Sequence, residues 1–206
     1  TNITYKVLKD LLKRKYDEEE LKNHIIITTD KEKGNLREEV NEKGYKSFII
    51  PDNIGGRYSF MTPAHLLPLA TNYDLDEIVS GYYHGKRFVD LAYEYAITRI
   101  LLFKSGKYIE NYTVYEENMS YFNEWLKQLF AESEGKENKG IFPVNLIYST
   151  DLHSVGQYVQ DGMRNLFETF IDIKKERHTV KIIKDEKNLD GLNYLVGKDM
   201  KFVKES

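Results

Sequence analysis

The 206-residue sequence contains no cysteine, which excludes disulfide bonds and thiolate metal sites. A chain without cysteine fits a reducing compartment, and we expect a soluble cytoplasmic protein. A strong charge of one sign is also lacking, because 33 acidic residues nearly balance 30 lysines and arginines and leave a formal net charge of -3. Without a basic patch, neither nucleic acid nor an anionic membrane surface is an expected partner.

Long hydrophobic runs are absent as well, and apolar stretches such as residues 24–28 are far too short to span a bilayer. The sequence has no internal repeat and no low-complexity segment. Four of the five histidines show no metal-ligand spacing and are interpreted as structural or solvated: His24, His65, His84 and His178. The length permits one large domain or two small ones with a substantial core.

The first fifty residues alternate between helix and strand patterns. Apolar residues at helical spacing predict an amphipathic helix over 1–16. Short β-branched runs predict strands at 23–30 and 45–51, and the charged segment between them predicts a helix closed by Gly44. A strand, a helix and a strand within about thirty residues form a βαβ unit, which requires parallel pairing of the strands.

Two glycines and an arginine follow the second predicted strand. In open parallel sheets, ligands bind beyond the carboxyl ends of the strands. Glycine permits backbone conformations and close approaches that a Cβ forbids, so we expect Gly55 and Gly56 to lie against a ligand. Arg57 would then face that ligand, although an ion-pairing loop arginine is the alternative interpretation.

The segment that follows predicts three helices up to residue 106, and a strand pattern returns at 107–115. We place a domain boundary in the helical stretch, which divides the chain into residues 1–88 and 89–206. The second half then continues with a helix, a strand–helix–strand pattern over 145–173 and a charged, loop-like end. This organisation predicts an α/β protein with two domains.

Glu132 lies where an apolar helix over residues 119–136 runs out into a charged segment. Its carboxylate could be partly buried, which would raise its pKa toward the range useful for a catalytic base. The residues by themselves favour the other interpretation, a solvated glutamate at a helix end, because glutamate is rarely buried.

His153 lies in the first turn of the helix predicted within 145–173. Three residues could cap that helix: Ser149, Thr150 and Asp151. Its buried stripe would consist of Leu152, Val155 and Val159. The positive end of the helix dipole tends to keep such an imidazole neutral near pH 7, which suits a proton shuttle. A surface histidine without function is the alternative.

Three motifs in this order resemble the glucose-6-phosphate isomerase family of the bacterial type: DNIGGRYSFMTPA, WLKQLFAESEGKENKGIFP and STDLHSVGQYVQDG. The similarity runs through nearly the whole chain. The family pattern has a small residue at the position of His65, a departure that concerns local packing.

The resemblance implies two sugar-isomerase (SIS) domains, each a mainly parallel sheet between helices, with the active site between them at a homodimer interface. Residues 1–88 would be the C-terminal part of the first domain, and residues 89–206 the N-terminal part of the second. A phosphate-binding loop and a later glutamine and lysine, which the family has, are not found in this chain. We therefore interpret it as a central fragment that is inactive alone.

The resemblance also implies roles for five residues. Glu132 would be the base and Arg57 the cation near the developing enediolate, while Gly56 and Gln128 would contact the substrate. His153 would open the sugar ring in the neighbouring subunit's site. No metal or organic cofactor would be needed, because a carboxylate and a fixed positive charge suffice for this proton transfer.

The implied reaction interconverts glucose 6-phosphate and fructose 6-phosphate, in glycolysis and gluconeogenesis. The alternative is a non-catalytic SIS-type module that binds a sugar phosphate for regulation. Glu132 together with His153 favours the enzyme, because a sensor would need neither a base nor a ring-opening acid.

Overall fold

The computed structural model describes residues 2–148, 150–174 and 178–205. Contacts divide the chain into two compact units, Thr1–Val89 and Asp90–Ser206. Each unit contains parallel strands with helices packed against them, which confirms the predicted α/β class. The assignment of the units to parts of two SIS domains stays a prediction.

The first unit contains the two strands of the predicted βαβ unit, the helix between them and further helices before and after it. Its elements are α1 (Asn2–Lys13), α2 (Glu18–His24), β1 (Ile26–Thr29), α3 (Asn35–Lys43), β2 (Lys46–Ile49), α4 (Pro63–Leu69) and α5 (Leu75–Gly85). Two 3₁₀ turns span Gly56–Met61 and Lys86–Phe88.

The predicted βαβ unit is confirmed, since β1 and β2 pair in parallel with Ile26 opposite Lys46. Helix α3 ends at Gly44, whose left-handed φ of 69° lets its N–H bond the Val40 carbonyl at 2.9 Å. Glycine adopts this conformation without a Cβ penalty, which explains why the helix stops there. The core beneath consists of Leu21, Ile25, Ile27, Val40 and Tyr45.

Helix α1 is shorter than predicted and turns its apolar residues outward. It ends at Lys13 because a second helix starts at Glu18, where Asp17 forms a capping box with Glu20. Tyr5 and Leu12 pack against the core of the unit. The other apolar residues of the helix are more than half exposed: Ile3, Val7, Leu8 and Leu11.

The second unit is built around a three-stranded parallel sheet in the order β4-β3-β5. Its elements are α6 (Val89–Lys104), β3 (Ile109–Val114), α7 (Ser120–Glu134), β4 (Phe142–Ile147), α8 (Thr150–Asp161), β5 (Leu166–Phe170) and α9 (Met200–Glu205). Two 3₁₀ turns span Glu117–Met119 and Leu192–Leu195. The end predicted as loop-like therefore contains a short helix, and Lys181 pairs with Asp199 in an antiparallel bridge.

The central strand β3 is buried but largely polar. Glu110 on one face and Thr113 on the other are both 0% exposed. The second face is held by Glu168, whose carboxylate accepts hydrogen bonds from Asn111 at 2.8 Å, from Thr113 at 3.2 Å and from the Tyr148 hydroxyl. Buried polar groups of this kind are tolerated only when they are paired.

No helix within the described ranges is both long and apolar enough to cross a membrane.

Candidate active site

The double glycine lies in the loop after β2, and Gly56 begins the 3₁₀ turn Gly56–Met61. Gly55 has φ −68° and ψ 154°, and neither glycine has a positive φ, so the turn does not need glycine for its backbone conformation. A Cβ at Gly56 would meet no atom of the described residues within 4 Å. The expected conformational role of the pair is therefore wrong, and the steric role stays a prediction.

The turn is held from beneath by two buried hydroxyl side chains. Ser59 Oγ donates to the Gly56 carbonyl at 2.6 Å, and Thr62 Oγ1 donates to the Ser59 carbonyl at 2.7 Å. His65 Nδ1 lies 3.2 Å from the Ser59 carbonyl oxygen and 3.3 Å from its hydroxyl. His65, where the family pattern has a small residue, thus packs onto the turn and leaves its start, Gly56, exposed.

Arg57 follows directly and is half-buried. Its guanidinium lies 4.9 Å from the centre of the Tyr58 ring, within the range of a cation–π contact. A guanidinium at this distance is attracted by the negative face of the ring.

A crevice of about 430 Å³ lies at the carboxyl ends of β1 and β2, in the same unit. Its lining includes Asp30, Asp52 and Lys33. Hydrogen bonds from the backbone N–H groups of Glu32 and Lys33, at 2.7 and 2.9 Å, lower the pKa of Asp30. Sequence analysis missed this crevice, although an acidic residue shortly after each parallel strand was a usable signal.

Gln128 and Glu132 lie one turn apart on α7, and the Gln128 Nε2 is 3.4 Å from Glu132 Oε1. Both side chains are exposed, so Glu132 is the solvated glutamate at a helix end that the sequence favoured, and its carboxylate is not partly buried in this unit. The reason is helical geometry: the packed face of this turn contains Phe130 and Glu134, and a step of two residues rotates by about 200° around the helix.

His153 lies in the first turn of α8, and its side chain is exposed. This position agrees with the alternative interpretation, a histidine at the surface. Thr150 and Asp151 are already helical, so neither is the cap, and Ser149 lies outside the described residues. The Asp151 carboxylate instead accepts the Ile147 N–H at 2.6 Å, which connects α8 to the end of β4. The predicted stripe is only half-buried at Val155 and Val159, and Leu152 is exposed.

The first unit therefore holds Gly56 and Arg57, and the second holds Gln128, Glu132 and His153. The described part of the chain contains no group of three or more histidine, aspartate or glutamate side chains arranged to hold a metal ion.

No family model matches the sequence. Individual relatives do match: glucose-6-phosphate isomerases of Listeria monocytogenes serotype 4b (strain F2365) and Clostridium novyi (strain NT) are each 48% identical to it over 209 residues. Each alignment covers 98% of this chain and 46% of the relative. The chain is similar to one segment of glucose-6-phosphate isomerase. It spans about half the length of the glucose-6-phosphate isomerases it matches, and the resemblance inferred from the three motifs is confirmed.

A solved structure agrees with this similarity. The crystal structure of a hypothetical protein from Thermus thermophilus superposes with a TM-score of 0.88 and 28% sequence identity. The match covers 98% of this chain and 51% of that chain. As with the glucose-6-phosphate isomerases, the chain corresponds to about half of a longer protein.

Proposed function

We propose that the protein to which this chain belongs interconverts glucose 6-phosphate and fructose 6-phosphate, in glycolysis and gluconeogenesis. The observation that carries the proposal is the 48% identity to glucose-6-phosphate isomerases over 98% of the chain. The substrate is a sugar phosphate, and the whole protein is a cytoplasmic homodimer that needs no metal or organic cofactor. The two units, Thr1–Val89 and Asp90–Ser206, are then parts of two SIS domains.

Glu132 is the base in this proposal. Its carboxylate is exposed near the end of α7, where it can reach a bound sugar, and the Gln128 amide approaches it from the preceding turn. The carboxylate removes the proton from C2 of the aldose and returns it at C1, which gives the ketose through an enediolate intermediate. Gln128 also contacts the substrate.

Arg57 supplies the positive charge that stabilises the enediolate, and Gly56 lets the substrate approach the backbone beside it. A fixed guanidinium aimed at the position where negative charge develops lowers the barrier without reorganisation during the reaction. The cation–π contact of Arg57 with Tyr58 supports this role, because an attractive contact favours one position of the guanidinium.

His153 opens the sugar ring as an acid and base. Its exposed position in the first turn of α8 supports a role toward a bound molecule outside the unit, and we propose that it acts in the neighbouring subunit's site. A neutral imidazole can accept and return the ring hydroxyl proton near neutral pH.

The deciding experiment replaces Glu132 with glutamine in the full-length protein. We expect isomerisation to fall by about 100-fold or more while sugar-phosphate binding is kept, because only proton transfer needs the carboxylate. Exchange of solvent tritium into C2 reports the proton transfer directly. Glu124→Gln, at another exposed glutamate of α7, is the matched control and should keep activity.

Wild-type tritium exchange in Glu132→Gln would remove Glu132 from the role of base. A wild-type protein that binds fructose 6-phosphate without any exchange would instead support the regulatory binding module.

A further inference from the structure

A buried arginine connects helix α7 to the central strand. Arg99 on α6 is 6% exposed, and its Nε donates to Glu110 Oε2 on β3 at 2.7 Å. Its two terminal nitrogens donate to the two carboxylate oxygens of Glu134 at 2.5 and 2.9 Å. One guanidinium therefore bridges the sheet and the last residue of α7.

The residue of β3 in this bridge, Glu110, is fixed by further hydrogen bonds. Glu110 is 0% exposed and also accepts hydrogen bonds from Tyr112 at 3.1 Å, from Thr169 at 2.8 Å and from the Tyr95 hydroxyl. Burial alone lowers the pKa of Arg99, but its hydrogen bonds to the two carboxylates outweigh burial and raise that pKa. The guanidinium thus stays charged and fixed at every pH at which the protein is folded.

The same guanidinium contacts α7 one turn earlier. Its central carbon lies 4.3 Å from the centre of the Phe130 ring, and Phe130 stacks on Tyr112 of β3 with the ring centres 5.7 Å apart. Phe130 and Glu134 are four residues apart, so they share one face of the helix. Two successive turns of that face are attached to the sheet, and both contacts oppose rotation of α7 about its axis.

The attachment acts where a helix is otherwise weakest. The carbonyls of a last turn have no partner within the helix, so this turn frays most easily. Glu132 lies in it. The chain then folds back so tightly that a Cβ at Gly140 would lie 2.8 Å from the Glu134 carbonyl oxygen, and Gly140 has φ 114°.

We propose that Arg99 and Glu134 are positioning residues that hold the last turn of α7 and thereby aim the Glu132 carboxylate. The inference rests on the proposed function, in which Glu132 is the base. Glu134 points inward and Glu132 outward from the same turn, so rotation or fraying of this turn would displace Glu132. A displacement of about 1 Å at a reacting group can lower a rate about 100-fold.

The competing explanation is that the bridge only stabilises the fold, because removing one partner of a buried ion pair leaves the other charge uncompensated. The two explanations differ in what is lost when the bridge is weakened. A structural role lowers the melting temperature alone. A positioning role lowers kcat in protein that is still folded, because the base is misplaced after the substrate has bound.

The test compares Glu134→Gln with Glu168→Gln in the full-length protein. Glu168 is the matched control, because it is the carboxylate that three side chains bond on the other face of the same sheet. We expect Glu134→Gln to lower kcat about 10- to 100-fold with KM changed less than about threefold. Glu168→Gln should lower the melting temperature at least as much and keep kcat.

A second measurement follows the helix end itself. Amide hydrogen exchange in a peptide covering residues 128–135 should become faster in Glu134→Gln and stay unchanged in Glu168→Gln. Arg99→Lys, which keeps the buried charge but loses the planar fork, should lower kcat in the same direction if Glu134→Gln fails to fold.

Two outcomes overturn the inference: wild-type kcat in Glu134→Gln and Arg99→Lys, or an equal loss of kcat in Glu168→Gln. Failure of the proposed function would give a different result, namely normal isomerisation by Glu132→Gln. The positioning inference fails on its own terms when Glu132→Gln is inactive but the bridge variants are as fast as the wild type.

Discussion

The side chains proposed to act on substrate lie at the surface of their units, whereas other polar side chains of the second unit are fully buried. Glu132 and His153 are exposed, but Glu110 and Asn123 have no exposed surface. A base has to reach a ligand, so it cannot be covered by its own helix. A buried carboxylate has to be paired, and Glu110 meets this condition with donors from several elements.

Replacing Gly56 with alanine tests whether this glycine is needed for folding or for substrate binding. The replacement Gly56→Ala should leave the melting temperature nearly unchanged, because φ is not positive there and a Cβ meets no described atom within 4 Å. In the full-length enzyme we expect kcat/KM to fall about tenfold or more, since the methyl group would occupy space that the substrate needs. Steady-state kinetics and thermal melting measure the two effects.

The control for this variant is Gly81→Ala on α5, where a Cβ also meets no described atom within 4 Å and a helical alanine is favourable. Unchanged kcat/KM in Gly56→Ala would show that the substrate does not approach this part of the backbone.

Helix α1 is attached to α3 by a polar contact rather than by its apolar stripe. Lys9 and the Tyr5 hydroxyl both donate to Glu39 on α3, the latter at 2.9 Å. Burial tends to raise the pKa of Glu39, but these two hydrogen bonds outweigh it and lower the pKa below its ordinary value of 4.5. The contact therefore contributes stability above that value and loses it as the pH falls.

We expect the free energy of unfolding to decrease as the pH is lowered from neutral to about 4, and Glu39→Gln to remove part of this decrease. The part removed should be on the order of 1 kcal/mol, because both charged partners are partly solvated. Urea unfolding at the two pH values measures it.

Glu38→Gln, at the exposed neighbour on the same helix, is the control for this pH dependence. An identical pH dependence in the wild type and in Glu39→Gln would mean that the contact with α1 does not contribute to stability.

The chain as a whole exposes apolar helix surface and matches only 46% of its glucose-6-phosphate isomerase relatives. Besides the outer side of α1, helix α6 exposes Leu91, Ile97, Ile100 and Leu101. Apolar areas of this kind are usually covered by protein, and uncovered ones promote association.

The 206-residue chain alone should show no measurable isomerisation, whereas the full-length protein should be active. Binding energy from the non-reacting phosphate holds a sugar in register with its base, and the alignment with the relatives covers only 46% of their length. A coupled assay with fructose 6-phosphate tests activity, and gel filtration at several concentrations tests for association. Ordinary turnover by a monomeric 206-residue chain would contradict both expectations.

Local sequence determined the order of elements in this protein, because each signal acts within a few residues. Alternating β-branched and charged segments specified β1, α3 and β2, and Gly44 specified the end of α3. The motif that contains Gln128 and Glu132 placed the two side chains on one helix face, since four residues nearly complete a turn.

Tertiary structure alone decided which surfaces are covered, because the covering groups come from distant positions. The Thr169 hydroxyl that bonds Glu110 is 59 residues away, and Arg99 reaches Glu134 across 35 residues. The residue pattern of a single helix or strand cannot predict partners that are so distant in the sequence. Glu132 is therefore exposed, α1 turns its apolar side outward, and a polar strand forms the centre of a sheet, each for a reason that lies elsewhere in the chain.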